Sequence, residues 1–184
     1  MKNAVLDVIM QRRATRAYTP EPVDEKTVRA LLDAAIHAPS ASNGQPWSFI
    51  VIQDPLLLKR ISDRAKLELA SHPHWKGTLP LADPQFNIFY GAPTLIVICS
   101  KADGFDPTGD CYLAGENLML AAWEMGLATC PIGLARDILQ TSAMKKELNI
   151  PADAKPVLPL IVGHPQGSMP STERKPPVIH AWKR

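Results

Sequence analysis

Three arginines fall within five residues, at Arg12, Arg13 and Arg16, in the run Arg-Arg-Ala-Thr-Arg-Ala-Tyr. Guanidinium forks suit phosphate oxygens and the polar edge of a heterocycle, which they hold through paired, charge-assisted hydrogen bonds. A second polar island, residues 38–47, reads Ala-Pro-Ser-Ala-Ser-Asn-Gly-Gln-Pro-Trp. Here Pro39, Ser40, Ser42, Asn43 and Gln45 put small hydroxyl and amide groups in a loop ahead of an apolar segment. Such a loop can offer backbone N–H groups and side-chain amides to a ligand. The third island, Thr129-Cys130-Pro131-Ile132-Gly133, closes on a glycine, whose missing Cβ lets a flat ligand approach the backbone. Each island also has a plain structural reading: a solvated basic face, a helix-to-strand connector and a tight turn.

The elements that must position these islands follow from periodicity and caps. Ala4, Val5, Leu6, Val8 and Ile9 are spaced as one short helix ending at Arg12-Arg13, basic residues that suit its negative end. Residues 24–37 form a second, with Asp24 as N-cap, Val28, Leu31, Leu32 and Ala35 on one face, and Pro39 as its stop. The β-branched and aromatic run 47–52 is a strand that ends at Asp54-Pro55, and Pro55 opens a helix reaching about residue 70. Residues 72–91 show no clean period and read as a long loop or lid, a kind of segment that tends to be functional. The apolar run 94–99 reads as a strand buried on both faces. Residues 110–125 form a helix apolar nearly all round, closed by Gly126 and suited to the centre of the fold or a subunit interface. A short strand over 127–130, one helix over 136–148 and a last strand over 157–162 complete the pattern. Strands alternating with helices predict an α+β (α/β) domain over residues 1–184, with residues 165–184 as a proline-rich arm that has to wrap over something.

Composition narrows the chemistry. With 20 Lys+Arg against 18 Asp+Glu, the net charge of +2 fits neither a nucleic-acid-binding protein nor an acidic tail. No apolar run is long enough for a membrane span, and the N-terminal stretch lacks the apolar core of a secretory signal. Three cysteines, Cys99, Cys111 and Cys130, read as buried free thiols in a reducing cytoplasm. Dinucleotide, phosphate-loop, nucleophile-elbow and zinc-helix motifs are all missing, and the cysteines lack metal-ligand spacing. His72-Pro73-His74 reads as two solvent-facing histidines and not as half a metal site. An enzyme with this sequence would not rely on its own side chains for the chemistry.

In order and spacing the islands resemble the nitroreductase family of flavoproteins over nearly the whole chain. The matching pieces are Arg-Arg-x-x-Arg-x-aromatic, then Pro-Ser-x-x-Asn-x-Gln-Pro-Trp entering a strand, and Gly91-Ala92-Pro93-Thr94 before an apolar strand. Trp123-Glu124-Met125-Gly126-Leu127, Pro131-Ile132-Gly133, Val162-Gly163 and Glu173-Arg174-Lys175-Pro176 follow in register. The resemblance implies a central mixed sheet flanked by helices. It also implies a homodimer with two FMN cofactors at the interface and C-terminal arms exchanged between subunits. Arg12 and Arg13 would then hold the ribityl phosphate, helped by Arg174 and Lys175. Arg16 would support the N1/C2 edge of the flavin electrostatically. Ser40, Ser42 and Asn43, with Gln45 and Pro39 nearby, would come from the partner. Asn87 would meet the pyrimidine edge, and Pro131, Ile132 and Gly133 would lie by the ring. Ala14 departs from the family pattern, which usually has serine there, so a hydroxyl donor is lost and only a backbone contact is available.

The implied activity is hydride transfer from NADH or NADPH, through flavin N5, to a nitroaromatic, quinone or similar aromatic acceptor in two half-reactions. Residues 72–89 would roof the pocket, with Trp75 or Phe86 stacking on the acceptor or simply packing the loop. No metal, nucleic acid or membrane is expected as a partner. The alternatives are a flavin-handling protein with little turnover, another reaction on the same fold such as dehalogenation or azoline oxidation, and an interaction module with no cofactor.

Overall fold

A computed structural model describes residues 4–72, 75, 77–101 and 104–184, so Pro73 and His74 lie outside the described residues. Helix α1 spans Ala4–Gln11 and α2 spans Glu25–Ile36. The N-cap of α2 is Asp24, whose carboxylate accepts from the Thr27 N–H at 2.8 Å. Strand β1, Trp47–Ile52, leads to Asp54, which caps α3 (Pro55–Ser71) by accepting from Leu56 and Leu57. Strand β2 covers Thr94–Ser100 and α4 covers Pro107–Glu124. Then come β3 (Ala128–Pro131), α5 (Arg136–Gln140), α6 (Ser142–Glu147) and β4 (Lys155–Gly163).

Both later strands shift by one or two residues, to Ala128–Pro131 and Lys155–Gly163, and two helices change more. Helix α4 begins at Pro107 rather than Asp110, because Asp106 caps it through the Gly109 N–H at 2.9 Å. The single helix expected over 136–148 is two, broken at Thr141. Its ψ of 143° is extended, and its hydroxyl accepts from the Met144 N–H to start the second. A β-branched hydroxyl residue competes with the helical backbone in this way.

The strands form one sheet in the order β1-β2-β4-β3, and all its ladders are antiparallel. The parallel component of the expected mixed sheet is confined to an isolated bridge between Ala14 and Thr129 beside β3. Side-chain alternation divides the core in two. Leu95, Val97 and Cys99 of β2 pack on one face with Ile61 and Ala65 of α3 and Ile138, Leu139 and Met144 of α5 and α6. Ile96 and Ile98 pack on the other with Leu31 of α2 and Cys111, Ala114 and Leu118 of α4. Every residue of β2 is buried, as the uninterrupted apolar run requires. Gly115 of α4 brings that helix close to the sheet, since a Cβ there would lie 2.3 Å from Leu158 Cδ2. Among the described residues no helix is long and apolar enough to cross a membrane.

Candidate functional site

The arginine segment lies along the β3 side of the sheet, stitched there by its backbone. Thr15 N–H donates to Thr129 O at 3.0 Å, Thr19 N–H to His164 O at 2.9 Å, and Gln166 N–H to Ala17 O at 2.9 Å. Gly163 allows this approach, because a Cβ there would sit 2.7 Å from Pro93 Cδ and 2.9 Å from Tyr18 Cδ1. The buried Tyr18 hydroxyl donates to Thr15 O at 2.7 Å, and burial pushes its pKa far up. Residues 13–17 face Gln166, Ser168, Met169 and Thr172 across a cleft of about 390 Å³. The Thr15 hydroxyl contacts Met169 Sδ at 3.1 Å across it.

The three arginines are held differently. Arg13 donates to the Met10 and Arg12 carbonyls at the end of α1, at 2.5 and 2.8 Å. Arg12 Nε stands 3.7 Å from Glu116 Oε1 of α4, within ion-pair reach but beyond hydrogen-bonding distance. The Nε atoms of both Arg12 and Arg13 are buried and have no hydrogen-bond partner. A buried donor left unmade costs about 1–3 kcal/mol, so this pair is suited to receiving an anion. Arg16 is exposed, with its guanidinium carbon 6.0 Å from the centre of the Tyr90 ring. Burial raises the Cys130 thiol pKa, while the charges of Arg16 and Arg12 pull it down, so both guanidinium fields reach that strand.

The third island sits beside this cleft. Pro131 ends β3 exposed, and Ile132 is buried, its N–H donating to Pro159 O at 2.8 Å. Gly133 opens a 3₁₀ turn over Gly133–Ala135, where the first N–H groups have no partner within the turn. Among the described residues, apart from its own chain neighbours, nothing lies within 4 Å of where its Cβ would be, and its φ is not in the left-handed region. Folding alone therefore does not require glycine here, and the open space fits a flat ring. Nearby, Leu134 and Asp137 share a cleft of about 220 Å³ with His72, Glu68 and Leu69, so the start of the expected lid lies by this turn.

The Ser40–Gln45 island lies elsewhere. It precedes β1, the opposite edge strand, three strand spacings or about 14 Å from β3. Among the described residues no hydrogen bond or ion pair joins it to the arginines. Its backbone is strained: Ser42, Asn43 and Gln45 have φ of 51°, 53° and 44°. Non-glycine residues adopt this left-handed form at about 1–2 kcal/mol each. Ser40 Oγ accepts from the Gln45 N–H at 3.0 Å, and Gln45 Nε2 donates to Asn43 Oδ1 at 3.2 Å. The buried Asp110 carboxylate anchors the loop, accepting the Ala41 N–H at 3.2 and 3.3 Å. Pro39, Ser42, Asn43 and Gln45 are all exposed.

The remaining candidates do not gather at the cleft. Asn87 Oδ1 accepts from the Phe89 N–H at 2.8 Å, and the residue lines a different cavity with Pro20, Val23, Gln53 and Pro93. Arg174 and Lys175 lie on the exposed arm beyond Thr172. Phe86 packs edge-on against Tyr90, with ring centres 6.2 Å apart. Trp75 is half-buried. Sequence reasoning missed Lys66, whose buried ammonium donates to the Asp83 and Phe86 carbonyls at 2.8 and 2.9 Å. It also missed Asp110 as a loop anchor, although an acidic residue in the first turn of a mostly apolar helix was a visible signal.

Comparison with known proteins places these features in context. The model of the Nitroreductase family matches residues 9–164. A putative NADH dehydrogenase/NAD(P)H nitroreductase of Methanothermobacter thermautotrophicus is 28% identical over 169 residues, covering 89% of this chain and 78% of that protein. A nitroreductase with bound FMN from Bacteroides fragilis NCTC 9343 superposes with a TM-score of 0.88 at 24% identity, over 99% of this chain and 100% of that one. A nitroreductase with bound FMN from Desulfitobacterium hafniense DCB-2 gives 0.84 at 26% identity, over 95% and 96%.

Proposed function

The chain belongs to the nitroreductase family, and on that premise we propose that it is an FMN-dependent oxidoreductase. It takes reducing equivalents from NADH or NADPH and passes them to a nitroaromatic, quinone or similarly oxidised acceptor. The observation that carries this reading is the pair of buried Nε atoms on Arg12 and Arg13 that lack a hydrogen-bond partner, next to Ala14, which bridges to β3, the strand that leads to the open face of Gly133. The first suits a phosphate and the second a flat ring, and FMN has both.

In this reading Arg12 and Arg13 bind the phosphate, and Arg174 and Lys175 close over it from the arm. Arg16 supplies fixed positive charge beside N1 and C2, where electron density grows on reduction. Bound FMN supplies the hydride-accepting N5, which is why the chain needs no general base of its own. The Gly133 turn and the buried Ile132 set the depth of the ring, and Pro131 shapes the rim. Ala14 offers only its backbone. Residues around 72–89 exclude water from the pocket, with Trp75 or Phe86 available to an aromatic acceptor.

Ser40, Ser42, Asn43 and Gln45, with Pro39, would reach the ring from a second copy of the chain, since their own arginines are at the far edge of the sheet. Exposed apolar surface supports that dimer. No residue of α1 is buried, and Val5 and Met10 are 65% and 67% exposed. Tyr112 and Leu113 on α4, and Val178, Ile179 and Trp182 on the arm, are exposed as well. Free, buried thiols at Cys99, Cys111 and Cys130 suit a reducing cytoplasm. Asn87 reaches the pyrimidine edge only if its loop shifts out of the Pro20 cavity.

The test is an absorption spectrum after gel filtration with added FMN, repeated anaerobically with NADH and then NADPH. A retained flavin band that bleaches with nucleotide supports the proposal. A retained band that does not bleach points to a flavin carrier or another electron donor, and no band overturns the flavoprotein reading.

A further inference from the structure

Tyr90 is held in a conformation that its residue type disfavours. Its φ is 54°, and Gly91 follows at 76°, so two left-handed residues in succession deliver the chain into β2. Glycine or asparagine would adopt the first of these more cheaply than tyrosine does. Strain kept at a non-glycine position points to a task for the side chain.

The ring is held by its neighbours and carries a cation over its face. Lys66 donates to Phe86 O, the Phe86 ring meets the Tyr90 ring edge-on at 80°, and Tyr90 N–H donates to Asn87 O at 2.9 Å. The Arg16 guanidinium carbon lies over the same ring, 6.0 Å from its centre. Among the described residues Arg16 makes no hydrogen bond or ion pair, in contrast to Arg12 and Arg13. An aromatic face is therefore what holds this exposed cation, and it does so without neutralising the charge. A carboxylate in the same place would orient the guanidinium equally well but cancel the field.

We propose that Tyr90 is a positioning residue for Arg16: its ring is the platform that keeps the guanidinium at the cleft, so Tyr90 sets how strongly the site prefers reduced over oxidised FMN. This rests on the functional reading above. In this assignment Tyr90 acts through Arg16 and not by its own contact with cofactor or acceptor.

The test compares wild type with Tyr90→Phe and Tyr90→Leu, all unbranched at Cβ, so that the backbone strain is common to the three. In the FMN-free protein the ring current shifts the Arg16 Nε–H resonance upfield. The shift is kept in Tyr90→Phe and lost in Tyr90→Leu. With FMN, the ratio of oxidised to reduced dissociation constants falls about two- to fivefold in Tyr90→Leu and stays near wild type in Tyr90→Phe. At 29.6 mV per tenfold for a two-electron couple, this lowers the midpoint potential by about 9–21 mV. An Arg16 resonance without ring-current shift in the wild type overturns the assignment even if Tyr90→Leu does not fold. Equal losses in both variants also overturn it, since the hydroxyl and not the ring would matter. A Tyr90→Leu protein that binds FMN with the wild-type ratio overturns the Tyr90 assignment alone. A wild type that takes up no FMN overturns the functional reading and this inference together.

Discussion

Arg16 carries the electrostatic part of the proposed site, and its exposure makes it the cleanest residue to remove. Arg12 and Arg13 also hold local structure: Arg13 caps carbonyls at the end of α1, and Arg12 faces Glu116. Arg16→Ala should therefore leave folding intact and weaken FMN binding or slow its reduction by about 10- to 100-fold, the worth of a charged hydrogen bond. Fluorescence titration of FMN and stopped-flow reduction check this, and unchanged values in both remove Arg16 from the site. The arginines were legible because charge clusters are local in sequence. Their holders were not, since Tyr90 meets Arg16 and Glu116 meets Arg12 only through the fold. The buried thiols give a second expectation. Burial lifts Cys99 from the ordinary 9.0 to about 11 and Cys111 to about 12. Between about pH 9 and 11 the unfolded chain ionises these thiols and the folded chain does not, so the folded state loses stability as pH rises. Melting temperature should be insensitive to these groups below pH 9 and fall above it, and substituting Cys111 by Ser should flatten that alkaline limb.

At the scale of elements, caps and periodicity located most of the helices and strands. Asp24 and Asp54-Pro55 announced α2 and α3 at the residues where they begin. The same Asp-Pro signal at Asp106-Pro107 opens α4, but Thr108 and Gly109 interrupt the apolar pattern behind it and hid the first turn. The break at Thr141 was hidden for the opposite reason, since the apolar pattern runs through it and only a side-chain cap marks the gap. Least legible was the segment before β2, whose order comes from tertiary contacts. Lys66 ties the Asp83 and Phe86 carbonyls to α3, and Ser62 Oγ accepts from the Ile88 N–H at 3.1 Å. Lys66→Met keeps the apolar stem and removes both donated bonds. It should cost about 2–3 kcal/mol in chemical denaturation, and residues 83–89 should exchange their amide hydrogens faster than the rest of the core.

For the whole molecule, composition limited the function classes and the order of motifs identified the family, while the spatial relation of the islands needed the sheet topology. The arm from residue 170 onward is exposed along its length, with Trp182 71% accessible beside Arg184. A stable dimer would cover that apolar surface. The 184-residue chain should elute at twice its 20.2 kDa, with a blue-shifted tryptophan emission. A chain ending at residue 169 should dissociate at higher concentration and lose FMN with it. Elution of the 184-residue chain as a monomer that still retains FMN would contradict the shared site.

The placement of the arginines beside β3 and the strained serine loop before β1 has a consequence for mixtures of damaged subunits. Take one variant defective only in Arg16 and another defective only in Asn43, each inactive by itself. Co-refolded, half of the pairs would be mixed. In each mixed pair one pocket would inherit both lesions and the other neither. About one quarter of the wild-type FMN capacity should return, as twofold pairing requires. Two mutants of a self-contained pocket would rescue nothing.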